Sequence, residues 1–419
     1  FVGGEIGSGF GRNDDAIAIA VGTPRLGERS MGWVEQRTTE NHDIHRDMRT
    51  YLFSSGRPDP ATFPNRGLAD AAMRILPEMG GELAMYPGSL GYEPLRELMS
   101  ERFRRREGVS LPVDQIALTT GSFQALTLMA QAFVESPGDV VILEEFSYSG
   151  TLDAYRKEKA ELVGIPQDED GMRMDALEER VKDLCARDKK PKFIYTLPTY
   201  QNPTGSIMPI DRRRELLSIA DRFEVPVVED HCYADTVYEP SHVPALRTLE
   251  HETPVVHIES LSKILGPGVR LGYFCAPQPL LDKILDYRRD GGTSALSSAI
   301  VYEYLREEMH EHLKEINAVV KAKRDLMFET LGMFPDCFEW FSRPKGGLFI
   351  WVKIPDSVDT KACKALAETK GIEYGLGSDF HVYERPIPYI RLAFAFATLN
   401  EIQEGISLLA ECVSKTKRS

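Results

Sequence analysis

Short apolar runs alternate with amphipathic stretches along the middle of the chain, from about residue 90 to residue 290. The apolar runs are rich in β-branched residues and are bounded by Gly, Pro or Asp, which is typical of buried strands. We predict strands over residues 115–120, 140–145, 192–197, 225–229, 255–259 and 270–276, and helices over residues 122–134, 174–186 and 211–223. Asp175 is the expected N-cap of the second helix. This alternation predicts an α/β fold with a mostly parallel sheet sandwiched by helices.

The pattern changes after Gly292, where a long helical run over residues 294–328 begins. Strand patterns follow over residues 347–354 and 389–396, and a closing helix is expected over residues 400–413. This order predicts a second, smaller α+β domain. The predicted organisation is an N-terminal segment (1–50), a large domain (51–292) and a small C-terminal domain (293–419) joined to it by the long helix.

Composition and charge narrow the class of protein. The 419 residues are 42% hydrophobic and 27% charged, which is typical of a folded globular chain. Acidic residues outnumber basic ones by 64 to 50, so the surface should repel nucleic acid. No apolar run approaches the ~20 residues of a membrane span, and the glycine-rich start does not resemble a signal peptide. Six cysteines without CxxC spacing favour reduced thiols in the cytoplasm.

The segment from Ser260 to Arg270 carries the most informative chemistry. Lys263 follows a buried strand pattern, and burial disfavours its ammonium form, which makes the amine a nucleophile toward a carbonyl. Arg270 offers a guanidinium fork suited to a phosphate, and the hydroxyls of Ser260 and Ser262 are donors to the same anion. An imine-forming lysine beside a phosphate cradle predicts a pyridoxal phosphate site.

The same segment has two other interpretations. Ser260-x-x-Lys263 matches the serine nucleophile motif of penicillin-binding enzymes, which also requires SDN and KTG tripeptides. Neither tripeptide occurs in the sequence. The second alternative is a surface lysine in a turn, and only further motifs can decide against it.

Two strand ends supply those motifs. Asp230 and Tyr233 lie just past one predicted strand, and a carboxylate there needs a cationic partner, such as a protonated pyridine nitrogen. Asn202 follows the preceding strand in a turn fixed by Pro203 and Gly205. Each residue also has a purely structural alternative, Asp230 as a helix cap and Asn202 as a turn residue.

Together these segments resemble the fold type I aminotransferases of class I and II, in particular the kynurenine and 2-aminoadipate aminotransferases, over about residues 54–409. The resemblance implies pyridoxal 5′-phosphate held as an aldimine by Lys263, the catalytic residue, and a quinonoid intermediate. Tyr148 corresponds to the aromatic residue that stacks on the cofactor, with a core tyrosine as the alternative. The implied cofactor-binding residues are Ser122, Phe123, Gln124, Tyr148, Asn202, Asp230, Tyr233, Ser260, Ser262, Lys263, Arg270 and Tyr86.

The resemblance also extends to the substrate and to a partner subunit. Arg391 corresponds to the arginine that binds the substrate α-carboxylate, and Gly56 and Asn202 are the other implied substrate-binding residues. Tyr86 corresponds to a tyrosine that reaches the phosphate of the neighbouring protomer in a homodimer, and Thr293 is a second candidate for that role. Arg57 either meets an acidic substrate side chain or lies in solvent. His231-Cys232 replaces a more usual Asp-Pro pair, which leaves the substrate range open.

The implied function is transfer of an amino group from an L-amino acid to a 2-oxo acid. The alternative is a pyridoxal phosphate enzyme of the same fold that performs elimination, replacement, condensation or oxidation on an amino acid. A third interpretation, a sensing domain fused to a winged helix, needs a basic DNA-binding segment of about 70 residues. Residues 1–50 are not basic enough to fit it. No metal site is expected, because His42, His45, His310 and His312 lack accompanying ligands.

Overall fold

A computed structural model describes residues 50–418. The predicted N-terminal segment lies outside this range apart from Thr50, as do His42 and His45. The strands are β1 (Tyr51–Phe53), β2 (Ile116–Thr119), β3 (Val140–Glu144), β4 (Glu161–Ile165), β5 (Gln167–Asp168), β6 (Gly171–Met172), β7 (Phe193–Thr196), β8 (Val227–Asp230), β9 (Val255–Ser260), β10 (Gly272–Cys275), β11 (Glu339–Trp340), β12 (Phe349–Lys353), β13 (Ile372–Leu376) and β14 (Tyr389–Ala393). The helices are α1 (Asn65–Met79), α2 (Glu93–Glu107), α3 (Ser122–Phe133), α4 (Ser149–Lys157), α5 (Met174–Ala186), α6 (Ile210–Phe223), α7 (Leu280–Leu285), α8 (Ala295–Gly332), α9 (Thr360–Glu368) and α10 (Leu399–Lys415).

A seven-stranded sheet forms the centre of the molecule, in the order β2-β10-β9-β8-β7-β3-β4. The strands from β9 to β4 are parallel, whereas β10 runs antiparallel to both of its neighbours. Apolar side chains of α3, α4 and α7 pack on one face, and those of α5 and α6 pack on the other. The predicted α/β fold, a mostly parallel sheet sandwiched by helices, is confirmed.

Helix α5 occupies the predicted residues, but its N-cap prediction was wrong. Arg173, in an extended conformation, is the N-cap and makes no side-chain capping bond. Asp175 lies inside the first turn, where its carboxylate accepts a hydrogen bond of 3.1 Å from Arg173 Nε. The helix begins at Met174, which is buried against the sheet, so Asp175 already lies inside the helix.

A second sheet has the order β1-β13-β14-β12-β11. Strand β1, which the predicted division assigns to the large domain, pairs in parallel with β13. The sequence pattern did not predict β1 or β13, because such short runs show too little of a period. The division into two domains stays a prediction.

The parallel strands determine where polar side chains gather. In such sheets, ligands bind beyond the carboxyl ends of the strands. Asn202 follows β7, Asp230 ends β8, and Lys263 follows β9, so the loops after three neighbouring strands lie at one edge of the sheet.

None of the helices in residues 50–418 combines the length and the hydropathy that a membrane-spanning helix requires.

Candidate active site

A cavity of about 180 Å³ lies at this edge of the seven-stranded sheet. Its lining contains most of the residues that the sequence pattern and the resemblance singled out for the cofactor. These are Ser122, Phe123, Tyr148, Asn202, Asp230, Tyr233, Ser260, Ser262, Lys263 and Arg270. Residues that are far apart in the chain therefore surround one space.

Lys263 extends its amine into this cavity. Its Nζ donates a hydrogen bond of 3.1 Å to the carbonyl oxygen of Gly56 and lies 5.5 Å from the centre of the Tyr233 ring. Burial lowers the pKa of Lys263, and the Asp230 carboxylate only partly opposes this effect. A lower pKa increases the fraction of neutral amine, which is the nucleophilic form.

Asp230 is buried at the end of β8 and accepts hydrogen bonds from Tyr195 and Cys232. Its Oδ2 accepts a hydrogen bond of 2.9 Å from the hydroxyl of Tyr195, and its Oδ1 accepts one of 3.2 Å from the backbone N–H of Cys232. Burial raises the pKa of Asp230, while these hydrogen bonds and Lys263 oppose the rise. Sequence reasoning missed Tyr195, because an aromatic residue in a buried strand has the pattern of a core residue.

An anion cradle lies where β2 leads into α3. Helix α3 begins at Ser122, and its first residues line the cavity together with Gly121. The amino end of a helix favours negative charge. A Cβ atom at Gly121, whose φ is +78°, would lie 3.1 Å from two nitrogens of Arg270, so the guanidinium packs directly on the glycine. Arg270 is anchored by a hydrogen bond of 2.6 Å to the carbonyl oxygen of Thr120.

Gln124 lies in the first turn of α3, but its side chain is not among those that line the cavity. Its Oε1 accepts a hydrogen bond of 2.7 Å from the backbone N–H of Thr120, and its Nε2 donates to Asp290. The amide therefore braces the loop that carries the cradle. The predicted contact of Gln124 with the cofactor stays a prediction.

Tyr86 and Thr293 differ sharply in exposure. The side chain of Tyr86 is 87% exposed and projects from the surface, as a residue that reaches a neighbouring protomer must. Thr293 is buried, and its hydroxyl donates to the carbonyl oxygen of Leu118 at 2.9 Å and accepts from Arg288 at 2.7 Å. The predicted role of Thr293 at a partner site stays a prediction, as does that of Tyr86.

Arg391 lies on β14, between the rings of Phe349 and Phe380, whose centres are 4.3 and 4.5 Å from its guanidinium carbon. It donates a hydrogen bond of 3.0 Å to Asn202 Oδ1 and a second one to the carbonyl oxygen of Ser54. Burial lowers the pKa of Arg391 to about 10, so the group stays charged at neutral pH. Its Nε is buried without a hydrogen-bond partner among the described residues, which leaves a donor available for a ligand.

Gly56 lies between the amine and this arginine. A Cβ atom there would approach within 2.5 Å of the Phe349 ring, so only glycine fits. The neighbouring Arg57 does not lie free in solvent, since its guanidinium carbon is 4.3 Å from the centre of the Phe396 ring. Of the two arginines, Arg391 is close enough to the Lys263 amine to lower its pKa further, beyond the larger effect of burial.

A buried ionic network lies behind Asp230. His257 hydrogen-bonds Glu229 at 2.8 Å and Glu259 at 2.9 Å. Burial alone lowers the pKa of His257, but the two carboxylates outweigh it and raise the pKa to about 9. Ligand atoms of His231, His257 and Glu259 lie within 4.8 Å of one another, yet two arginines of α2 already neutralise Glu259. The network is therefore a structural brace between α2 and the sheet.

Comparison with known proteins agrees with this geometry. The family model described as aminotransferase class I and II matches residues 52–409. The aromatic-amino-acid aminotransferase 1 of Thermococcus litoralis is 32% identical over 392 residues, which cover 93% of this chain and 94% of that protein.

Two solved structures have the same architecture. The kynurenine aminotransferase of Pyrococcus horikoshii, in complex with PMP, KYN and KYA, has a TM-score of 0.84 and 32% identity, and the match covers 94% of this chain and 96% of that one. The α-aminoadipate aminotransferase of Thermus thermophilus, complexed with N-(5′-phosphopyridoxyl)-L-leucine, has a TM-score of 0.80 and 31% identity, with 88% and 92% coverage. The match of sequence and fold thus spans nearly the whole chain, which belongs to the class I and II aminotransferases, enzymes that depend on pyridoxal phosphate.

Proposed function

We propose that the cavity around Lys263 binds pyridoxal 5′-phosphate and transfers an amino group from an L-amino acid to a 2-oxo acid. The observation that carries this proposal is the convergence of a buried amine, a buried carboxylate and an anion cradle in one cavity. Each of these groups matches one part of the cofactor, namely its aldehyde, its ring nitrogen and its phosphate. Glycine at position 121 supports the fit, since a Cβ atom there would lie 3.1 Å from the Arg270 guanidinium that would bind the phosphate.

Different residues of the cavity would bind different parts of the cofactor. Arg270, Ser122, Ser260 and Ser262 would bind the phosphate, with Phe123 beside them. Asp230 would pair with the ring nitrogen and Tyr148 would lie on the ring face. Asn202 Nδ2 donates to the hydroxyl of Tyr233 at 3.4 Å, so the two residues present their polar ends together, as donors to the ring oxygen would.

When bound, pyridoxal phosphate withdraws electrons from the Cα atom of the amino acid. The chain supplies the rest of the chemistry. Arg391 binds the α-carboxylate and thereby orients the Cα–H bond. The neutral amine of Lys263 removes the Cα proton as a general base and later returns it as a general acid. Asp230 stabilises the positive charge on the ring nitrogen.

The space beside Lys263 suggests the class of amino donor. A cavity of about 340 Å³ runs from Arg57 past Phe63, Ile264 and Leu265 to Phe396, and its walls are mostly apolar. We propose a donor with a large aromatic or aliphatic side chain. The aromatic-amino-acid and kynurenine aminotransferases among the relatives support this choice.

A panel of amino acids tests the donor class. We expect phenylalanine, tyrosine, kynurenine and leucine to bleach the visible absorbance of the bound cofactor, with at least about tenfold higher kcat/KM than aspartate, because a lost apolar contact typically costs about 10- to 200-fold. Stopped-flow absorbance measures the half-reaction, and a 2-oxo acid assay identifies the product. Faster turnover of aspartate or glutamate would contradict the proposed donor class. A product that lacks its β- or γ-substituent would instead indicate the elimination chemistry, which the aminotransferase relatives do not favour.

We also propose that the active form is a homodimer. Several large apolar side chains are exposed on one chain, and such patches typically mark interfaces. The most exposed are Met73 (70%), Met85 (72%) and Tyr86 (87%), all on or just after α1. Light scattering tests the proposal, since a monomeric mass for fully active enzyme would contradict it.

A reducing compartment such as the cytoplasm is the proposed location. All six cysteines are free thiols, and five of them are buried. A thiol count below six in protein freshly purified without reductant would contradict this location.

A further inference from the structure

We propose that Tyr195 is a positioning residue for the reaction, which holds Asp230 in its ionised form and links it to the segment that carries Tyr148. The hydroxyl of Tyr195 donates a hydrogen bond of 2.9 Å to Asp230 Oδ2. Both side chains are almost fully buried, at 1% and 3% exposure. The inference rests on the proposed role of Asp230 as partner of the ring nitrogen.

The hydrogen-bonded chain continues beyond Tyr195. Thr151 Oγ1 donates a hydrogen bond of 3.2 Å to the Tyr195 hydroxyl, which leaves the tyrosine proton free to point at Asp230. The backbone N–H of Thr151 donates to the carbonyl oxygen of Tyr148 at 2.9 Å. This chain of hydrogen bonds therefore connects three elements: α4 at Thr151, β7 at Tyr195 and β8 at Asp230.

This chain has a defined electrostatic effect. Burial disfavours the carboxylate of Asp230, and a hydrogen bond donated to an ionised group favours it. The titratable side chains that interact with Asp230 are Tyr195, Cys232 and Lys263, together with Glu144, Tyr148, Tyr155 and Tyr233. Burial and Asp230 hold the pKa of Tyr195 well above 10, so its hydroxyl keeps its proton and stays a donor over the working pH range.

The orientation of the carboxylate also depends on Tyr195. Besides this hydroxyl, Asp230 accepts hydrogen bonds from Cys232, whose backbone N–H binds the other oxygen and whose thiol is a weaker donor. Without the hydroxyl, Oδ2 of this buried carboxylate loses its hydroxyl donor. A buried carboxylate that lacks a donor on one oxygen has a higher free energy, so the carboxyl group would rotate or take up a proton.

The test is Tyr195→Phe, which removes one oxygen atom and keeps the ring. We expect about tenfold weaker binding of pyridoxal phosphate and about tenfold lower kcat, as for loss of a hydrogen bond to a charged group. KM for the amino donor should change less than about twofold, because Arg391 still binds the carboxylate. The acidic limb of the kcat–pH profile should shift to higher pH, because an Asp230 with a raised pKa ionises only at a higher pH.

Tyr155→Phe is the matched control. The Tyr155 ring lies 5.8 Å from that of Tyr195 and is equally buried, but its hydroxyl has no hydrogen-bond partner among the described residues. We expect wild-type cofactor affinity and pH profile for this variant. A Tyr195→Phe enzyme that behaves like Tyr155→Phe would overturn the proposal.

Two more variants separate the possible failures. Asp230→Asn should weaken cofactor binding and lower kcat by about 100-fold, since it removes the charge itself. If Asp230→Asn has no effect, the proposed role of Asp230 is wrong, whereas an effect there with none in Tyr195→Phe refutes the role of Tyr195 alone. Thr151→Val should give a smaller change in the same direction as Tyr195→Phe. If circular dichroism shows that Tyr195→Phe does not fold, Thr151→Val becomes the test of the role of Tyr195. Wild-type cofactor affinity and pH profile in Thr151→Val would then overturn the proposal.

Discussion

Replacement of Lys263 by alanine is expected to lower kcat by at least about 10³-fold, because it removes both the nucleophile and the general base of the reaction. The purified variant should also lack the visible absorbance of a covalently held cofactor. The physical reason is the buried amine of Lys263, whose pKa is lowered by its surroundings and which faces the carbonyl oxygen of Gly56 at 3.1 Å. Absorbance of the purified protein and a coupled 2-oxo acid assay measure the two effects.

Lys283→Ala is the control for this experiment. Lys283 is a surface lysine that pairs with Glu135 at 2.8 Å and does not line the cavity. It should retain wild-type absorbance and turnover. Full activity of Lys263→Ala, or an unmodified Lys263 in protein saturated with pyridoxal phosphate and reduced with borohydride, would refute the assignment of the site.

Arg391→Ala is expected to reduce kcat/KM for amino donors by about 10²- to 10³-fold, as for truncation of one partner of a buried, hydrogen-bonded ion pair. Most of the loss should appear in KM, since Arg391 binds the carboxylate and does not touch the Cα proton. Its guanidinium is held in place by Phe349, Phe380 and Asn202, so the free enzyme already has the binding geometry. Steady-state kinetics with both amino and 2-oxo acids measure the effect.

Arg343→Ala provides the matched control. Arg343 also lies over a phenylalanine, 5.3 Å from the ring centre of Phe328, but it is 60% exposed and pairs with Asp325. We expect wild-type kinetics from it. An unchanged KM in Arg391→Ala would indicate that another cation, such as Arg57, binds the α-carboxylate.

The sequence allowed the residues that line the cavity to be predicted, while their chemical roles stay predictions. Lys263, Asp230, Asn202 and Arg270 each follow a strand of the parallel sheet or lie beside one, and all four line the same cavity. The predictions were possible because local patterns locate strand ends, and strand ends in a parallel sheet meet at one edge.

Contacts with distant residues could not be predicted. The hydroxyl of Thr293 bonds to Arg288 and to the carbonyl oxygen of Leu118, and sequence spacing identifies neither contact. Asp175 was predicted to cap α5, but Arg173 is the N-cap and Asp175 lies in the first turn.

The sequence by itself determined the alternation of strands and helices, the edge where ligands bind and the residue types that react there, because these depend on local periodicity and on the chemistry of single side chains. Only the tertiary structure decided that Tyr195 holds Asp230, that Arg391 lies between two phenylalanine rings, and that β1 joins the second sheet. Such contacts link residues as far apart as Tyr51 and Ile372. They depend on how the elements pack, which no local pattern encodes.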